Sequence, residues 1–292
     1  MTLLELVKLA PLMNRSKGRP EIRIGLIDGP IAVDHPDLAE ANVHEVSGKM
    51  KGACSRADSI ACMHGTFVAG ILVARRGSDA PAICPDCSLM LRPIFPEDNS
   101  AGDGRMPSST PENLAQAIVD TVDAGARILN MSVGLTHTSA RGERRLEEAL
   151  DHAANRGVIT VAAAGNQAVV GSSTITRHPG VVPVAACDLR GQPTADSNLG
   201  NSIGRRGLSA PGEGVTSLGT NGKPLTFGGT STAAPFVSGA LALLWSEFPA
   251  ASAAQLRLAI GRGEIRRRHS IVPPLLDAWA AYLTLANAYS RG

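Results

Sequence analysis

The sequence predicts an α/β protein built in three layers, a mostly parallel central sheet with helices on both faces. Two observations lead there. Short apolar runs alternate with helical segments of roughly 10 to 15 residues, which is the signature of βαβ units. The polar residues that could do chemistry sit at the ends of those runs. Right-handed crossovers bring successive strand ends to one rim of the sheet, where ligands of open α/β sheets bind.

The elements follow in order. EIRIGLID (21–28) is an apolar strand ending at Asp28 and a Gly-Pro turn. HGTFVAGILVARR (64–76) turns from polar to apolar at helical spacing, so a helix is entered near His64. SLMLRPIF (88–95) is a strand, and 97–110 is a loop by its Gly, Ser, Pro and Asp content. Residues 111–125 form a helix capped by Thr110, opened by Pro111 and closed by Gly125. ARILNMSV (126–133) is a strand. ERRLEEALDHAANRG (143–157) is an amphipathic helix closed by Gly157. VITVAAAG (158–165) and VVPVAACD (181–188) are strands. GLSAPGEGV (207–215) is rich in turns and short strands. GGTSTAAPFVSGALALLW (228–245) passes from two glycines through Thr-Ser-Thr into an apolar helix that carries Pro235 inside it. Two helices, 253–263 and 274–289, close the chain.

A chain of 292 residues, 43% hydrophobic and 18% charged, has a globular composition and buries a core without staples. The formal net charge of +2 predicts no strong attraction to nucleic acid or a membrane surface. The basic cluster at 261–269 reads as a solvated surface turn. No apolar run approaches the roughly 18 residues of a membrane span. Residues 1–20 have their apolar run broken by Glu5 and Lys8. They read as a short amphipathic helical extension, with the main domain at 21–292. No secretion signal is recognisable there, so the cytoplasm is the expected compartment.

Five cysteines, an odd number, argue against a secreted disulfide framework. Cys84-Pro-Asp-Cys87 could join Cys54 and Cys62 in a four-thiolate zinc site, but the spacing matches no standard zinc module. Local disulfides (Cys54–Cys62 or Cys84–Cys87) and unpaired thiols remain as alternatives. No cofactor is expected and no metal-binding run of carboxylates is visible.

Ser231 stands where a loop meets a buried helix, a position that presents a hydroxyl at a helix N-terminus. A hydroxyl needs a base to become a nucleophile, and His64 is the candidate. A histidine in that role needs a carboxylate to hold its tautomer, and Asp28 at a strand end can supply it.

Together these stretches resemble the subtilisin-like serine proteases, peptidase family S8. The matching segments are IGLIDGP around Asp28, HGTFVAG around His64, ILNMSVG (128–134), VITVAAAGN ending at Asn166, and GGTSTAAPFVSG around Ser231. They occur in the order Asp, His, Ser that marks this class. LSAPGEGV (208–215) and PLLDAWAAYL (274–283) extend the likeness. The resemblance implies a subtilisin-like fold and peptide-bond cleavage through an acyl-enzyme. It implies Ser231 as nucleophile, His64 as general base and then acid, and Asp28 as orienting carboxylate. Asn166 and the Ser231 N–H would form the oxyanion hole. It makes Ser132, Val133 and Gly134 a strand edge for the peptide substrate, and Ala163, Ala164 and Gly165 the wall of a side-chain pocket.

There are departures. Thr232 stands where the family usually has Met, and Leu135 replaces a glycine beside the cleft. Asp28 lies too near the start for the folding pro-segment of secreted relatives. LIDGPIAVDHPDL (26–38), CPDCSLMLRPIF (84–95) and LRGQPTADSNLG (189–200) also resemble the protease domains that mature cyanobactin-type ribosomal peptides. That likeness implies a precursor-peptide substrate. Macrocyclising members carry an extra helical pair over the cleft, and residues 64–110 show none, so hydrolysis is expected. The alternatives are a general intracellular protease and a silent peptide-binding module on the same fold. The silent form usually loses a triad residue, and here all three are present.

Overall fold

The computed structural model describes residues 1–97, 108–132, 140–261 and 270–290. Its centre is a parallel sheet of seven strands: β1 (Arg23–Ile27), β2 (Asn42–Glu45), β3 (Ser88–Leu91), β4 (Ile128–Met131), β5 (Ile159–Ala163), β6 (Val181–Cys187) and β7 (Leu208–Pro211). The spatial order is β2-β3-β1-β4-β5-β6-β7. β1 is hydrogen-bonded to β3 on one side and β4 on the other, with Leu26 opposite both Leu91 and Asn130. From β4 onward the strands step outward in sequence order. The winding therefore reverses beside β1, a switch point of the kind that opens a crevice at the carboxyl ends of strands.

Every residue of β3, β4, β6 and β7 is buried. That is the mark of a parallel sheet covered on both faces. One face packs on α3 (Ile60–Val73) and the long α8 (Thr230–Glu247), the other on α4 (Pro111–Asp123) and α5 (Ala140–Asn155). Within β4, Ile128 belongs to the first core with Phe236 and Leu241 of α8, and Leu129 to the second with Leu114, Ile118 and Leu146. The period-2 alternation then turns Asn130 toward α8, where its Oδ1 accepts from Ser238 Oγ at 2.8 Å. Smaller elements complete the chain: α6 (Thr174–Arg177), α7 (Asn201–Arg206), the hairpin of β8 (Val215–Ser217) and β9 (Leu225–Phe227), α9 (Ala253–Ile260) and α10 (Ala278–Tyr289).

Several expectations need correction. The N-terminal helix is two helices, α1 (Leu3–Leu6) and α2 (Leu9–Arg15), because Lys8 takes a left-handed backbone at φ 50°. The extension packs on the rest of the chain: Leu9, Leu12 and Met13 are buried in the main core, and Lys8 Nζ meets Asp277 Oδ2 at the start of α10 at 2.5 Å. Helix α3 begins a turn before His64. Ser59 caps it by accepting the Cys62 N–H at 3.0 Å, and the apolar IACM run after it is already helical. The strand expected over 88–95 ends at Leu91. Pairing with β2 stops there, where Pro93 has no N–H to offer, while the Arg92 and Ile94 N–H groups still reach the Leu26 and Asp28 carbonyls at 3.0 and 2.9 Å; the Arg92 guanidinium folds onto Asp120 at 2.8 Å. β2 went unread because only Val43 in NVHE is apolar and it is an edge strand. The loop at 98–107 and the basic cluster at 262–269 lie outside the described residues. Among those described, no helix is long and apolar enough to cross a membrane.

Candidate active site

Asp28 is the residue after the end of β1, on the carboxyl rim. Two glycines allow α3 to approach it. A Cβ on Gly29 would run into the Ala61 carbonyl, and one on Gly65 into the carbonyls of Pro30 and Gly29. With both side chains absent, the His64 ring reaches Asp28, and Nδ1 lies 2.7 Å from Oδ1. The Gly29 N–H donates to the same oxygen at 2.7 Å. Asp28 is fully buried and His64 is 6% exposed. A carboxylate can only accept, so Nδ1 carries the ring proton and Nε2 is left as an acceptor. Ser231 Oγ lies 2.9 Å from Nε2. The three side chains named from the sequence thus form one hydrogen-bonded series.

Ser231 is the second residue of α8. Its N–H belongs to the first turn, whose donors have no intrahelical partner, and it faces the positive end of an 18-residue helix. Pro235 lies four residues on. A proline there removes the N–H that would bond to the Ser231 carbonyl, and its ring crowds that oxygen. The freed carbonyl takes a hydrogen bond from Ser132 Oγ at 3.4 Å. Ser132 in turn accepts from Asn130 Nδ2 at 3.4 Å. A polar chain, Ser238 to Asn130 to Ser132, thus runs from mid-α8 back to the first turn that carries the hydroxyl.

Asn166 projects beside that turn. Its Oδ1 accepts the Thr230 N–H at 2.8 Å and the Thr230 hydroxyl at 3.0 Å. Thr230 Oγ1 also accepts the Gly165 N–H at 3.0 Å. The carboxamide is fixed through its oxygen, which turns the NH₂ end toward Gly229 and the front of the helix. Gly229, at φ 104°, has no side chain to block it. Thr230 was not singled out from the sequence, although it lies beside the proposed nucleophile. The signal was its hydroxyl at a helix start, a position where such groups bond to nearby backbone.

The expected pocket wall, Ala163, Ala164 and Gly165, leaves the carboxyl end of β5 and turns at Gly165, φ 105°. A second residue missed from the sequence holds it. The Asn198 Nδ2 donates to the Ala164 carbonyl at 3.1 Å, its Oδ1 accepts the N–H groups of Gln167 and Val169, and its own N–H donates to the Gly165 carbonyl at 2.8 Å. Of the expected substrate edge only Ser132 is described, and Val133, Gly134 and Leu135 lie outside the described residues. β4 itself is flanked on both sides, by β1 and β5. Thr232 is fully buried and donates its hydroxyl to the Gly229 carbonyl at 2.8 Å.

The cysteines resolve differently from the four-thiolate alternative. Cys54 and Cys62 are joined by a disulfide, while Cys84, Cys87 and Cys187 are buried thiols. A hydrogen bond from Cys84 to Cys87 raises the Cys84 thiol well above its ordinary value, burial adding to it, and lowers Cys87. Burial, with Asp188 close by, pushes the Cys187 thiol up to about 12. None of these thiols belongs to the site.

A parallel sheet whose carboxyl rim joins Asp, His and Ser, in that chain order, defines the subtilisin class of serine hydrolase. The chain belongs to the subtilase family, whose model matches residues 19–263. It is 32% identical over 251 residues to the thermostable alkaline protease of Halalkalibacterium halodurans, covering 82% of this chain and 61% of that protein, so it spans about three fifths of that relative's length. It is 30% identical to subtilisin DY of Bacillus licheniformis over 86% of both chains. Among solved structures it is similar to a mutant of the protease domain of PatA, with a TM-score of 0.82 and 30% identity over 93% of this chain and 97% of that one. PatA is a patellamide maturation protease.

Proposed function

We propose that this chain is a serine endopeptidase that cuts a ribosomally made precursor peptide by hydrolysis. The observation that carries the reading is the continuous series from Asp28 through His64 to Ser231, at 2.7 and 2.9 Å. Ser231 Oγ attacks the scissile carbonyl as its proton passes to His64 Nε2. Asp28 holds the ring in the Nδ1–H tautomer and stabilises the imidazolium that forms. The carbonyl oxygen becomes an oxyanion and takes hydrogen bonds from Asn166 Nδ2 and the Ser231 N–H. His64 then gives its proton to the leaving amine, and the acyl group stays on Ser231. Water enters, loses a proton to His64 and releases the acid. The peptide pairs along 132–134, with the side chain before the cut beside 163–165. Residues 21–292 make up the peptidase domain and 1–20 an extension packed against it.

The precursor-peptide part rests on the likeness to PatA together with the cyanobactin-type segments 26–38, 84–95 and 189–200. The test has two arms. A fluorophosphonate probe should label Ser231 in the full chain and fail in His64→Ala. Labelling on another residue, or none in folded protein, would refute the chemistry. Casein and candidate precursor peptides with a defined recognition sequence should then be cut at very different rates, and rapid nonselective digestion of casein would refute the dedicated substrate.

A further inference from the structure

We infer that Cys54, Cys62 and Glu97, once the disulfide is reduced, form a binding site for a zinc-class divalent metal ion at the start of the helix that carries His64. The two sulfurs and a carboxylate oxygen of Glu97 all lie within 4.8 Å of one another, and among the described residues they are the one such group of metal-ligating side chains. A tetrahedral ion with bonds of about 2.3 Å to sulfur holds its thiolates roughly 3.8 Å apart.

The frame around the site does not depend on the sulfur–sulfur bond. Cys54 is held by its N–H on the Ile31 carbonyl at 2.9 Å, and the Ile31 N–H returns to the Gly52 carbonyl at 2.9 Å. Cys62 sits in the capped first turn of α3 and is fully buried. Glu97 is oriented by the turn that follows Cys54, accepting the N–H groups of Ser55 at 3.0 Å and Arg56 at 2.9 Å and the Ser55 hydroxyl at 2.5 Å. A ligating carboxylate fixed by donors of this kind is the usual outer arrangement of a metal centre. Two thiolates and a carboxylate around a divalent ion leave one negative charge, and Arg56 stands beside it. Three protein donors leave a fourth position for water. A cavity of about 480 Å³ reaches the Glu97 side of the group, lined by Lys51, Ala53, Ser55, Arg56 and Glu97 among others, and neither cysteine lines it.

The disulfide and the ion exclude one another. In a compartment that keeps thiols reduced, such as the cytoplasm expected from the sequence, Cys54 and Cys62 stand as a dithiol. Either bond, direct or through the metal, ties the segment beside Ile31 to the first turn of α3.

The test uses the full chain reduced by a water-soluble phosphine. Each phosphine becomes its oxide with an oxygen from water, and the two protons of that water end on the two sulfurs. Cadmium is then titrated in, and thiolate-to-metal charge-transfer absorption is read, with zinc as competitor. The expected result is one ion per chain, displaced by zinc, with two protons released and affinity rising with pH. The oxidised chain should give no band. The Cys84→Ser/Cys87→Ser double variant should keep it and Cys54→Ser should lose it. Ser55→Ala should weaken binding about tenfold, and Glu97→Gln by at least that. No band in the reduced chain, a band that survives in Cys54→Ser, or one lost with the Cys84 and Cys87 thiols would overturn the assignment. Glu97→Gln leaves both thiols in place, so unchanged affinity there overturns the site even if the cysteine variants fold poorly.

Discussion

Asn166 Oδ1 accepts two hydrogen bonds from one residue, the N–H and the hydroxyl of Thr230, at 2.8 and 3.0 Å. The carboxamide is anchored through its oxygen, which leaves the NH₂ end for the oxyanion role proposed above. Asn166→Ala should therefore lower kcat by about 10²–10³ (~3–4 kcal/mol) with little change in KM, the size recorded for an oxyanion donor in subtilisin. Thr230→Val keeps the shape but leaves Asn166 and the Gly165 N–H without that hydroxyl. It should cost about tenfold in kcat, near the ~1.4 kcal/mol of one hydrogen bond. Steady-state kinetics on a cleaved peptide checks both, and a change confined to KM would contradict the assignment.

Pro235→Ala separates helix stability from the placement of Ser231. Alanine restores an N–H that can bond to the Ser231 carbonyl and improves helix propensity by up to ~3 kcal/mol. The same bond pulls that carbonyl away from Ser132 Oγ. The expected outcome is a melting temperature at or above that of the parent together with a lower kcat. A variant with unchanged kcat would show that the Ser132 contact does not position the nucleophile.

Glu97 makes stability depend on pH in a defined direction. Its folded value lies below the ordinary 4.5, so the carboxylate stabilises the fold above that pH, and the contribution is lost as pH falls through the lower folded value. Glu97→Gln should melt below the parent at neutral pH, and the gap should close under acid conditions. A gap that is constant with pH would mean that the carboxylate's charge is not what holds the Ser55–Arg56 turn.

Thiol counting checks the cysteine assignment. The folded, unreduced chain should resist alkylation, since Cys84, Cys87 and Cys187 are buried. Denaturant alone should expose those three thiols, and denaturant with reductant all five. Mass spectrometry of the alkylated protein reads the number directly. Five labels without reductant would exclude the Cys54–Cys62 bond.

Much of this was legible in the chain. Thr110, Pro111 and Gly125 bound α4 through caps that act within a few residues, and the structure keeps all three roles. The two glycines beside Asp28 and His64 are visible in the chain too, although the backbone contact they allow is not. What escaped was long-range. Asn198 supports the 163–169 wall from some thirty residues away, and nothing local distinguishes it from any loop asparagine. The start of α3 was placed late because Ser59 was not recognised as its cap.

By itself the sequence determined the alternation of strands and helices, and with it a parallel sheet. It also placed Asp28 and Ser231 at element ends, and all of this rests on local periodicity and capping. Only the tertiary structure decided that Asp28, His64 and Ser231, spread over two hundred residues, share one hydrogen-bonded line, and that Cys54 pairs with Cys62. Those outcomes depend on strand order, on the backbone contact between Gly29 and Gly65, and on the direction each side chain takes from its helix. Such relations in space arise only when the whole core has packed.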